Sequence, residues 1–483
     1  MSEPTPNLGR GMAKGISVTL SSYLFSRLVN FVTTVALARI LAPSEMGIVA
    51  TALLIVYFVD VVRDFGLRDA VVFQGAERSD IQATAFYLIA FLSLAQMLAM
   101  LGLALFFWHM QERLDLAAVL GVMALFFPLQ ALGAVQEANL QRSLRFGELA
   151  FVEIAGVIVK AAVTYLTLVI GFGAVSFAIG QLAGSGLRTA LLWLCPDVSG
   201  FIRSRFHRSM VGSLVGYGKH IFMTGLVHLA RTRSDQAAIA LLIGDVALAG
   251  YFLATRLPEI LISGVSTALT RVIFPSFVEA SRSDQGLAPI FLSVMHGCMT
   301  LIAPIAIGLA AISGKLMPLV FGGAYQDAAT AMSYLALVGI PLTLGWSVGD
   351  VLKATGRPGL LTKISFLQTC VLVPLVWIAC QASHDLGSVA AALLGAECIS
   401  AIIWLSLVPR LVGVSAAQVL RSVSMPLLAA VLMGGIVLIV QSLLTSSDLV
   451  AVTGSIVAGV VAYSAIIALI DPESVRKLRM LLG

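Results

Sequence analysis

The chain has 483 residues, of which 59% are hydrophobic and 11% are charged, and its formal net charge is +5. A typical soluble domain carries about 25% charged residues, so the composition excludes a soluble enzyme, a secreted disulfide scaffold and a nucleic-acid-binding protein. The mean hydropathy of +0.98 indicates a polytopic membrane protein, in which a positive net charge reflects basic cytoplasmic loops.

Helical spans dominate the predicted structure. A bilayer needs about 20 apolar residues in a helix, and about fourteen stretches of this sequence reach that length. We therefore predict an all-α polytopic membrane protein with about 14 transmembrane helices. In chain order, the predicted spans are 16–40, 46–66, 81–108, 116–136, 149–170, 174–194, 213–243, 247–275, 288–313, 328–352, 362–381, 388–408, 423–444 and 449–470.

Lysine and arginine are unevenly divided between the two sets of connecting segments. With the N-terminus in the cytoplasm, roughly twenty of them fall in the inner loops and at the inner helix ends. The opposite side holds Arg39, Arg113 and Lys315, and its longest predicted loop is 314–327. Because cytoplasmic loops carry the excess of basic residues, this asymmetry predicts that both termini are cytoplasmic.

A basic segment separates the first six predicted spans from the remaining eight. Transporters are often built from structural repeats, and six-helix units would be parallel repeats because each contains an even number of spans. The turns 41–47 and 244–250 are faintly alike, since each places a glycine in the next helix at the same spacing. We predict an N-terminal lobe at 1–194, a basic cytoplasmic linker at 195–212, a C-terminal lobe core at 213–408, and two additional helices with a cytoplasmic tail at 409–483.

Ionisable side chains within the predicted spans are the candidates for function. Charges at membrane depth are unfavourable unless they face a cavity or a partner. The deep cations outnumber the deep acids, and arginine binds phosphate oxygens in a bidentate manner, so a cationic cavity suits a phosphate or pyrophosphate. The predicted substrate-binding residues of this cavity are Arg27, Lys160, Arg231, Arg233 and Arg256.

Acidic residues and a mixed cluster complete the candidate site. The four carboxylates below are candidates for ion coupling, and the charged residues that end the second span are candidates for a cytoplasmic gate. The ion-coupling candidates are Glu153, Asp235, Glu259 and Glu397. The gate candidates are Asp60, Arg63, Asp64 and Arg68.

Each of these charges also has a purely structural interpretation. Arg231 with Asp235, and Arg256 with Glu259, lie at helical spacings that permit mutual neutralisation. The gate cluster can pair with itself at the interface, and Arg27 can extend to the inner surface. Glu153 and Lys160 share a helix face, in a cavity wall or a buried polar network. Arg233 has no acid on its own face, so we expect an anionic ligand or an acid on another helix, and Arg188 is expected to be an interface anchor.

Several chemistries have no motif in this sequence. There is no GxxxxGK[ST] loop for a built-in ATP motor. The five cysteines form neither a CxxC motif nor a cluster with histidine. The short outer loops leave little room for an external catalytic domain. We therefore expect a protein that is not an enzyme, with no catalytic residues, no metal, no cofactor and no nucleic-acid partner.

Short motifs distributed along nearly the whole chain carry a family resemblance. In order they are 37–47 (LARILAPSEMG), 64–70 (DFGLRDA), 140–146 (LQRSLRF), 171–173 (GFG), 273–277 (IFPSF), 320–322 (VFG) and 354–358 (ATGRP). In this order and spacing they resemble the polysaccharide-transporter branch of the multidrug/oligosaccharidyl-lipid/polysaccharide exporter superfamily, whose members flip lipid-linked oligosaccharides. Ala42 stands where glycine usually precedes Pro43, which is a minor departure.

The resemblance implies two pseudo-symmetric helical lobes around a central, typically cationic cavity, with alternating access. It implies an undecaprenyl-pyrophosphate-linked oligosaccharide as substrate, the bacterial inner membrane as location, and a role in exopolysaccharide or lipopolysaccharide assembly beside a polymerase and a chain-length-control protein. A lipid II flippase and an ion-coupled multidrug exporter of the same superfamily remain alternatives. The drug branch often has an acidic site in its first helix, and this chain has no Asp or Glu between Gly15 and Pro43. A glycan-transferring membrane enzyme is the alternative from another class.

Overall fold

The computed structural model describes residues 6–62, 65–68, 71, 79–195, 204–282, 286–444 and 447–470. Side chains are described from Val18 onward, except those of Tyr217, His220, Ala268, Arg271, Val272 and Ile470. Two of the predicted gate residues, Arg63 and Asp64, lie outside the described residues. So do 196–203 of the predicted linker and the predicted cytoplasmic tail from 471 onward. Every regular element in the described ranges is a helix.

The chain forms two compact units, Met1–Arg233 and Ser234–Gly483. The first unit contains seven complete helices and most of an eighth. They are α1 (Pro6–Ile40), α2 (Pro43–Asp60), α3 (Ser79–Gln111), α4 (Leu114–Ala124), α5 (Phe126–Arg142), α6 (Phe146–Ile170), α7 (Val175–Leu194) and α8 (Arg208–Leu242). The division between the units falls inside α8, whereas the sequence predicts the lobe boundary at the linker 195–212.

The second unit continues from the end of α8 with nine further α-helices and two short irregular helical segments. The α-helices are α9 (Asp245–Pro258), α10 (Gly264–Ala280), α11 (Ala288–Phe321), α12 (Ala329–Leu337), α13 (Gly339–Ala354), α14 (Pro358–Ser383), α15 (Leu386–Val412), α16 (Ala416–Leu443) and α17 (Asp448–Ile470). A π-helical segment, Glu259–Ser263, joins α9 to α10, and a 3₁₀ segment, Gly323–Ala328, precedes α12. Single-turn π segments mark local departures from regular helical hydrogen bonding.

Twelve helical stretches of the described chain are long and apolar enough to span a membrane. They coincide with twelve of the predicted spans, and α7 and α8 coincide with the other two. Helix α8 has the length of a span but carries several charged residues, Lys219, Arg231, Arg233 and Asp235 among them. The prediction of an all-α polytopic membrane protein is thus confirmed.

Two contacts in the first unit join connecting segments that the predicted alternation of spans places on the same side of the membrane. Between α1 and α2, Glu45 Oε2 accepts a hydrogen bond from the Ala42 amide at 3.1 Å. The α6–α7 turn packs on this carboxylate, because a Cβ on Gly173 would lie 2.5 Å from Glu45 Oε1. At the start of α3, Thr84 Oγ1 accepts from the His207 amide at 3.1 Å, which joins the segments predicted to be cytoplasmic.

The predicted outer loop 314–327 is wrong in its first half, because α11 continues to Phe321. Lys315 lies two residues beyond the predicted end of this span. Its ammonium donates to the carbonyl oxygens of Gln441 and Leu444, at 3.3 and 3.4 Å. These carbonyls lie at the C-terminal end of α16, where the helix leaves such groups without intrahelical donors. The Lys315 charge therefore has partners within the protein, so α11 can continue past this residue.

Candidate functional site

A polar cavity of about 300 Å³ lies within the first unit. Helices α1, α3, α5, α6 and α7 and the segment after α2 contribute to its wall. Five charged and three amide side chains line it together with small and apolar residues. The charged residues are Arg68, Glu137, Glu153, Lys160 and Arg188, and the amides are Asn30, Gln130 and Gln181. Four of these five charges come from helices in the membrane-spanning bundle, where a charge needs a cavity or a partner.

Glu137 is held between two arginines. Its Oε1 lies 2.8 Å from a terminal nitrogen of Arg68, and its Oε2 lies 2.6 Å from a terminal nitrogen of Arg188. Only 11% of the Glu137 side chain is exposed. Charge-assisted bonds of this length are about twice as strong as neutral ones, which offsets the desolvation of a buried carboxylate.

Arg188 also contacts a second carboxylate. Its Nε donates to Glu153 Oε2 at 3.3 Å. The close approach of α6 and α7 makes this possible, because a Cβ on Gly184 would lie 2.6 Å from the carbonyl oxygen of Gly156. Glycine at these two positions lets the backbones come together as small residues do in membrane helix pairs. The arginine on α7 thereby reaches the acid on α6.

Lys160 forms a second charged level of the cavity. Its ammonium donates to Asn30 Oδ1 at 2.8 Å and lies 5.3 Å from the centre of the Phe177 ring. The Asn30 amide nitrogen donates to the Ser26 carbonyl oxygen, which turns the Asn30 oxygen towards Lys160. Lys160 follows Glu153 by two helical turns, a separation of about 10 Å along α6. The charges therefore extend along the helices and are not confined to one plane.

The charges on the wall of the cavity do not balance. Among the residues that the structure describes, three cations and two carboxylates leave one positive charge in surplus. Drug-sized ligands occupy pockets of about 300–1,000 Å³, so this cavity is at the lower end of that range. Among the residues that the structure describes, no three His, Cys, Asp or Glu side chains are grouped to hold a metal ion.

Three of the predicted substrate-binding arginines contact aromatic rings. The Arg27 guanidinium lies 5.1 Å from the Tyr23 ring centre, and that of Arg233 lies 4.2 Å from the Tyr57 ring centre. Arg256 lies 3.7 Å from the Phe252 ring centre. The face of an aromatic ring attracts a cation within about 6 Å. For Arg233, Tyr57 on α2 therefore takes the position where the sequence predicts an acid or an anionic ligand.

The other predicted residues are dispersed. Arg231 is half-buried on α8, and Asp60 is half-buried at the end of α2. Glu397 is buried on α15, with 4% of the residue exposed. None of these three belongs to the wall of the polar cavity.

Two predicted coupling acids of the second unit have local partners. Asp235 is buried, and its Oδ2 accepts a hydrogen bond from the Tyr251 hydroxyl at 2.8 Å. Its Oδ1 accepts from the Gln236 amide, also at 2.8 Å. Glu259 begins the π-helical segment and pairs with Arg256 at 3.2 Å.

Sequence reasoning missed the centre of the cavity. Glu137 lies one residue beyond the predicted end of its span, but α5 continues to Arg142 and keeps it inside the bundle. Arg188, expected to be an interface anchor, belongs to the cavity wall and binds two carboxylates. Arg68 is a gate candidate whose structural alternative is pairing within its own cluster, and it contacts Glu137. The run of polar residues around Glu137 in an otherwise apolar helix was the available signal.

The comparisons with known proteins agree with the fold. The lipopolysaccharide biosynthesis protein WzxC of Escherichia coli K12 is 23% identical over 74% of this chain and 73% of its own length. The succinoglycan biosynthesis transport protein ExoT of Rhizobium meliloti is 26% identical over 93% of this chain and 91% of its own length. Both relatives are therefore matched over most of their length.

A solved structure shares the helical arrangement. The lipid II flippase MurJ, in an inward closed conformation, superimposes with a TM-score of 0.74 at 14% identity, over 93% of this chain and 98% of its own. At that identity the likeness concerns the fold alone. The family described as polysaccharide biosynthesis protein matches residues 36–330, which is more than half of the sequence. The resemblance drawn from the short motifs is confirmed, and the chain belongs to this polysaccharide biosynthesis protein family.

Proposed function

We propose that this protein is a flippase that moves an undecaprenyl-pyrophosphate-linked oligosaccharide repeat unit from the inner to the outer leaflet of the bacterial inner membrane. The observation that carries the proposal is the polar cavity among the spanning helices, with its surplus of cations. The names of the relatives support it, since one is called a transport protein for succinoglycan biosynthesis and another a lipopolysaccharide biosynthesis protein. The assembly served would be that of an exopolysaccharide or a lipopolysaccharide.

The cavity chemistry supports the diphosphate as the part that is recognised. Arg68, Arg188 and Lys160 offer N–H donors, and arginine matches phosphate oxygens in both charge and geometry. A lipid tail needs no cavity because the bilayer itself solvates it. The headgroup is the part that a bilayer excludes, so it needs a polar path through the protein.

The two charged levels support a path with successive contacts. The headgroup would meet Arg68 and Arg188 at the level of Glu137 and Glu153, and would then reach Lys160 about 10 Å further along α6. Alternating access would expose these levels in turn to the two sides of the membrane. Arg27, Arg231, Arg233 and Arg256 belong to the proposal as further cations on the path.

The remaining assignments belong to the same proposal. Both termini are cytoplasmic, as the distribution of basic residues predicts. Ion coupling would use a carboxylate among Glu153, Asp235, Glu259 and Glu397. The gate would use Asp60, Arg63, Asp64 and Arg68. The product would pass to a polymerase and a chain-length-control protein of the same pathway.

Glycan sidedness in a deletion strain tests the function. We expect lipid-linked oligosaccharide to accumulate on the inner leaflet, where an impermeant glycan label cannot reach it. Expression of the wild-type chain should restore labelling. Normal labelling in the deletion strain would overturn the proposal, and increased drug susceptibility in that strain would instead favour a multidrug exporter.

A further inference from the structure

We propose that the Glu137 carboxylate is an internal competitor for the diphosphate of the substrate. It holds the same two arginines that the diphosphate would bind, and thereby weakens headgroup binding enough for the headgroup to leave again. The inference rests on the proposed function, because it takes the diphosphate of a lipid carrier as the incoming anion.

The geometry of the two arginines is that of an anion site. Arg68 and Arg188 each direct one terminal nitrogen to a different oxygen of the same carboxylate, at 2.8 and 2.6 Å. They come from different parts of the unit, so they converge on Glu137 from separate elements. A phosphate group likewise presents several oxygens on one central atom. It can therefore accept the same pair of N–H groups.

The charges of the cavity make the two anions competitors. With Glu137 and Glu153 in place, the three cations that the structure describes in the wall leave one positive charge in surplus. A lipid-linked sugar diphosphate has an ionised oxygen on each phosphate, which exceeds that surplus. Neutralising Glu137 would leave a surplus of two, which matches the diphosphate. Glu137 thus sets how well the cavity accepts it.

Competition of this kind serves transport. An arginine pair in a site shielded from water binds phosphate strongly, because the electrostatic attraction is little screened. A transported group must bind well enough to enter and weakly enough to leave. The Glu137 carboxylate beside the bound diphosphate repels it and can form its ion pairs with the two arginines again. Removal of this charge should therefore strengthen binding and slow transport.

Diphosphate binding to the purified full-length protein in lipid nanodiscs tests the inference. Inorganic diphosphate is titrated by calorimetry into the wild type, Glu137→Gln and Arg188→Gln. We expect Glu137→Gln to bind diphosphate about tenfold more tightly, and Arg188→Gln to bind it at least about tenfold more weakly. In cells, Glu137→Gln should slow the appearance of glycan on the outer leaflet despite its tighter binding.

Glu148→Gln is the matched control. Glu148 also pairs with an arginine of the first unit, Arg145 at 2.6 Å, but it does not line the cavity. We expect its diphosphate affinity to equal that of the wild type. A general effect of lost negative charge would instead strengthen binding in both glutamate variants, and would overturn the specific role of Glu137.

A purely structural role for Glu137 predicts a different pattern. In that case Glu137→Gln would lower the melting temperature, and diphosphate affinity would stay the same or fall. If Glu137→Gln does not fold, diphosphate binding to Glu137→Asp tests the inference instead. The shorter aspartate side chain keeps the charge but cannot reach both arginines equally well. We expect tighter binding for Glu137→Asp as well. Unchanged or weaker binding would overturn the inference.

The outcomes also separate this inference from the proposed function. Wild-type-like binding in Arg188→Gln, or no diphosphate binding in either the wild type or Glu137→Gln, would overturn the inference. The sidedness of the glycan in the deletion strain would be unaffected by that result. Conversely, Glu137→Gln could bind diphosphate more tightly while the deletion strain shows normal glycan labelling on the outer leaflet. That result would support competition by Glu137 and would overturn the proposed flippase function.

Discussion

Ion pairs that join several elements are described in the first unit, whereas the ion pairs described in the second unit join neighbours in the chain. In the first unit, Glu137 on α5 pairs with Arg188 on α7 and with Arg68 in the segment after α2. In the second unit, two ion pairs join residues three apart on one helical stretch, Arg256 with Glu259 and Lys353 with Asp350. The first arrangement encloses a cavity, whereas each of these two pairs joins neighbours within one helical stretch.

An anion site arises more readily in a cluster that several elements build than in a pair on one helix. A pair on one helix is close in the unfolded chain as well, so it adds little to tertiary structure. A cluster built from several helices holds those helices in one arrangement. It can also respond when an incoming anion takes one of the partners. Substitutions in the two units should therefore differ in both stability and export.

The largest effect is expected for Arg188→Gln. It leaves Glu153 without its arginine and Glu137 with only one of the two described arginines, and breaking a buried pair costs about 3–5 kcal/mol of folding free energy. Thermal unfolding of the purified protein measures the loss, and glycan labelling measures export, which we expect to disappear. Arg145→Gln is the control, because its pair with Glu148 is more exposed and worth about 0–1 kcal/mol. Equal losses in the two variants would contradict a special role for the cluster.

A smaller effect is expected for Gly184→Ala, which tests the helix contact behind the cavity. The added Cβ would lie 2.6 Å from the Gly156 carbonyl oxygen and 2.7 Å from Lys160 Cβ. Overpacking of this kind costs about 1–3 kcal/mol, and it should displace Lys160 and reduce export. Gly186→Ala, on the same helix, meets nothing within 4 Å. We expect that control to keep or raise the melting temperature, and a comparable loss there would refute the packing argument.

In the second unit, Tyr251→Phe removes the hydroxyl that donates to Asp235. A buried acceptor that loses its partner costs about 1–3 kcal/mol, so we expect a lower melting temperature. Asp235→Asn in the Tyr251→Phe background should recover part of the loss, because a neutral amide tolerates burial better than a carboxylate. A double-mutant cycle on melting temperature measures the coupling. Strictly additive effects would show that the hydrogen bond contributes nothing.

The smallest effect is expected for Glu259→Gln. Its pair with Arg256 is an i,i+3 pair, and such pairs contribute about 0.2–0.5 kcal/mol. Thermal unfolding should change little, and Arg256 keeps its contact with the Phe252 ring. A loss of melting temperature as large as that of Arg188→Gln would show that ion pairs contribute equally to stability in both units. A selective loss of export with unchanged stability would instead support Glu259 as the coupling acid.

Local reasoning found the helices and the pairs within a helix. The break at Gly171–Gly173 and the break before Asp245 are where the sequence predicts them, and Gly171 and Gly244 have the positive φ that such turns require. The pairing of Arg256 with Glu259 follows from helical spacing alone. Lys160 and Glu153 share a helix face in the sequence, and both line the cavity. These features depend on neighbours in the chain.

The sequence alone determined the membrane class, the helical fold, the approximate limits of the spans and the family resemblance. Apolar run length and short motifs are local properties, and water is excluded from every bilayer in the same way. The contacts between charges follow from helix packing, because the rotation and spacing of α5, α6 and α7 bring Glu137, Glu153 and Arg188 together. The close glycine contact between α6 and α7 sets that spacing. Contacts between distant parts of the chain depend on such packing, which no single segment encodes.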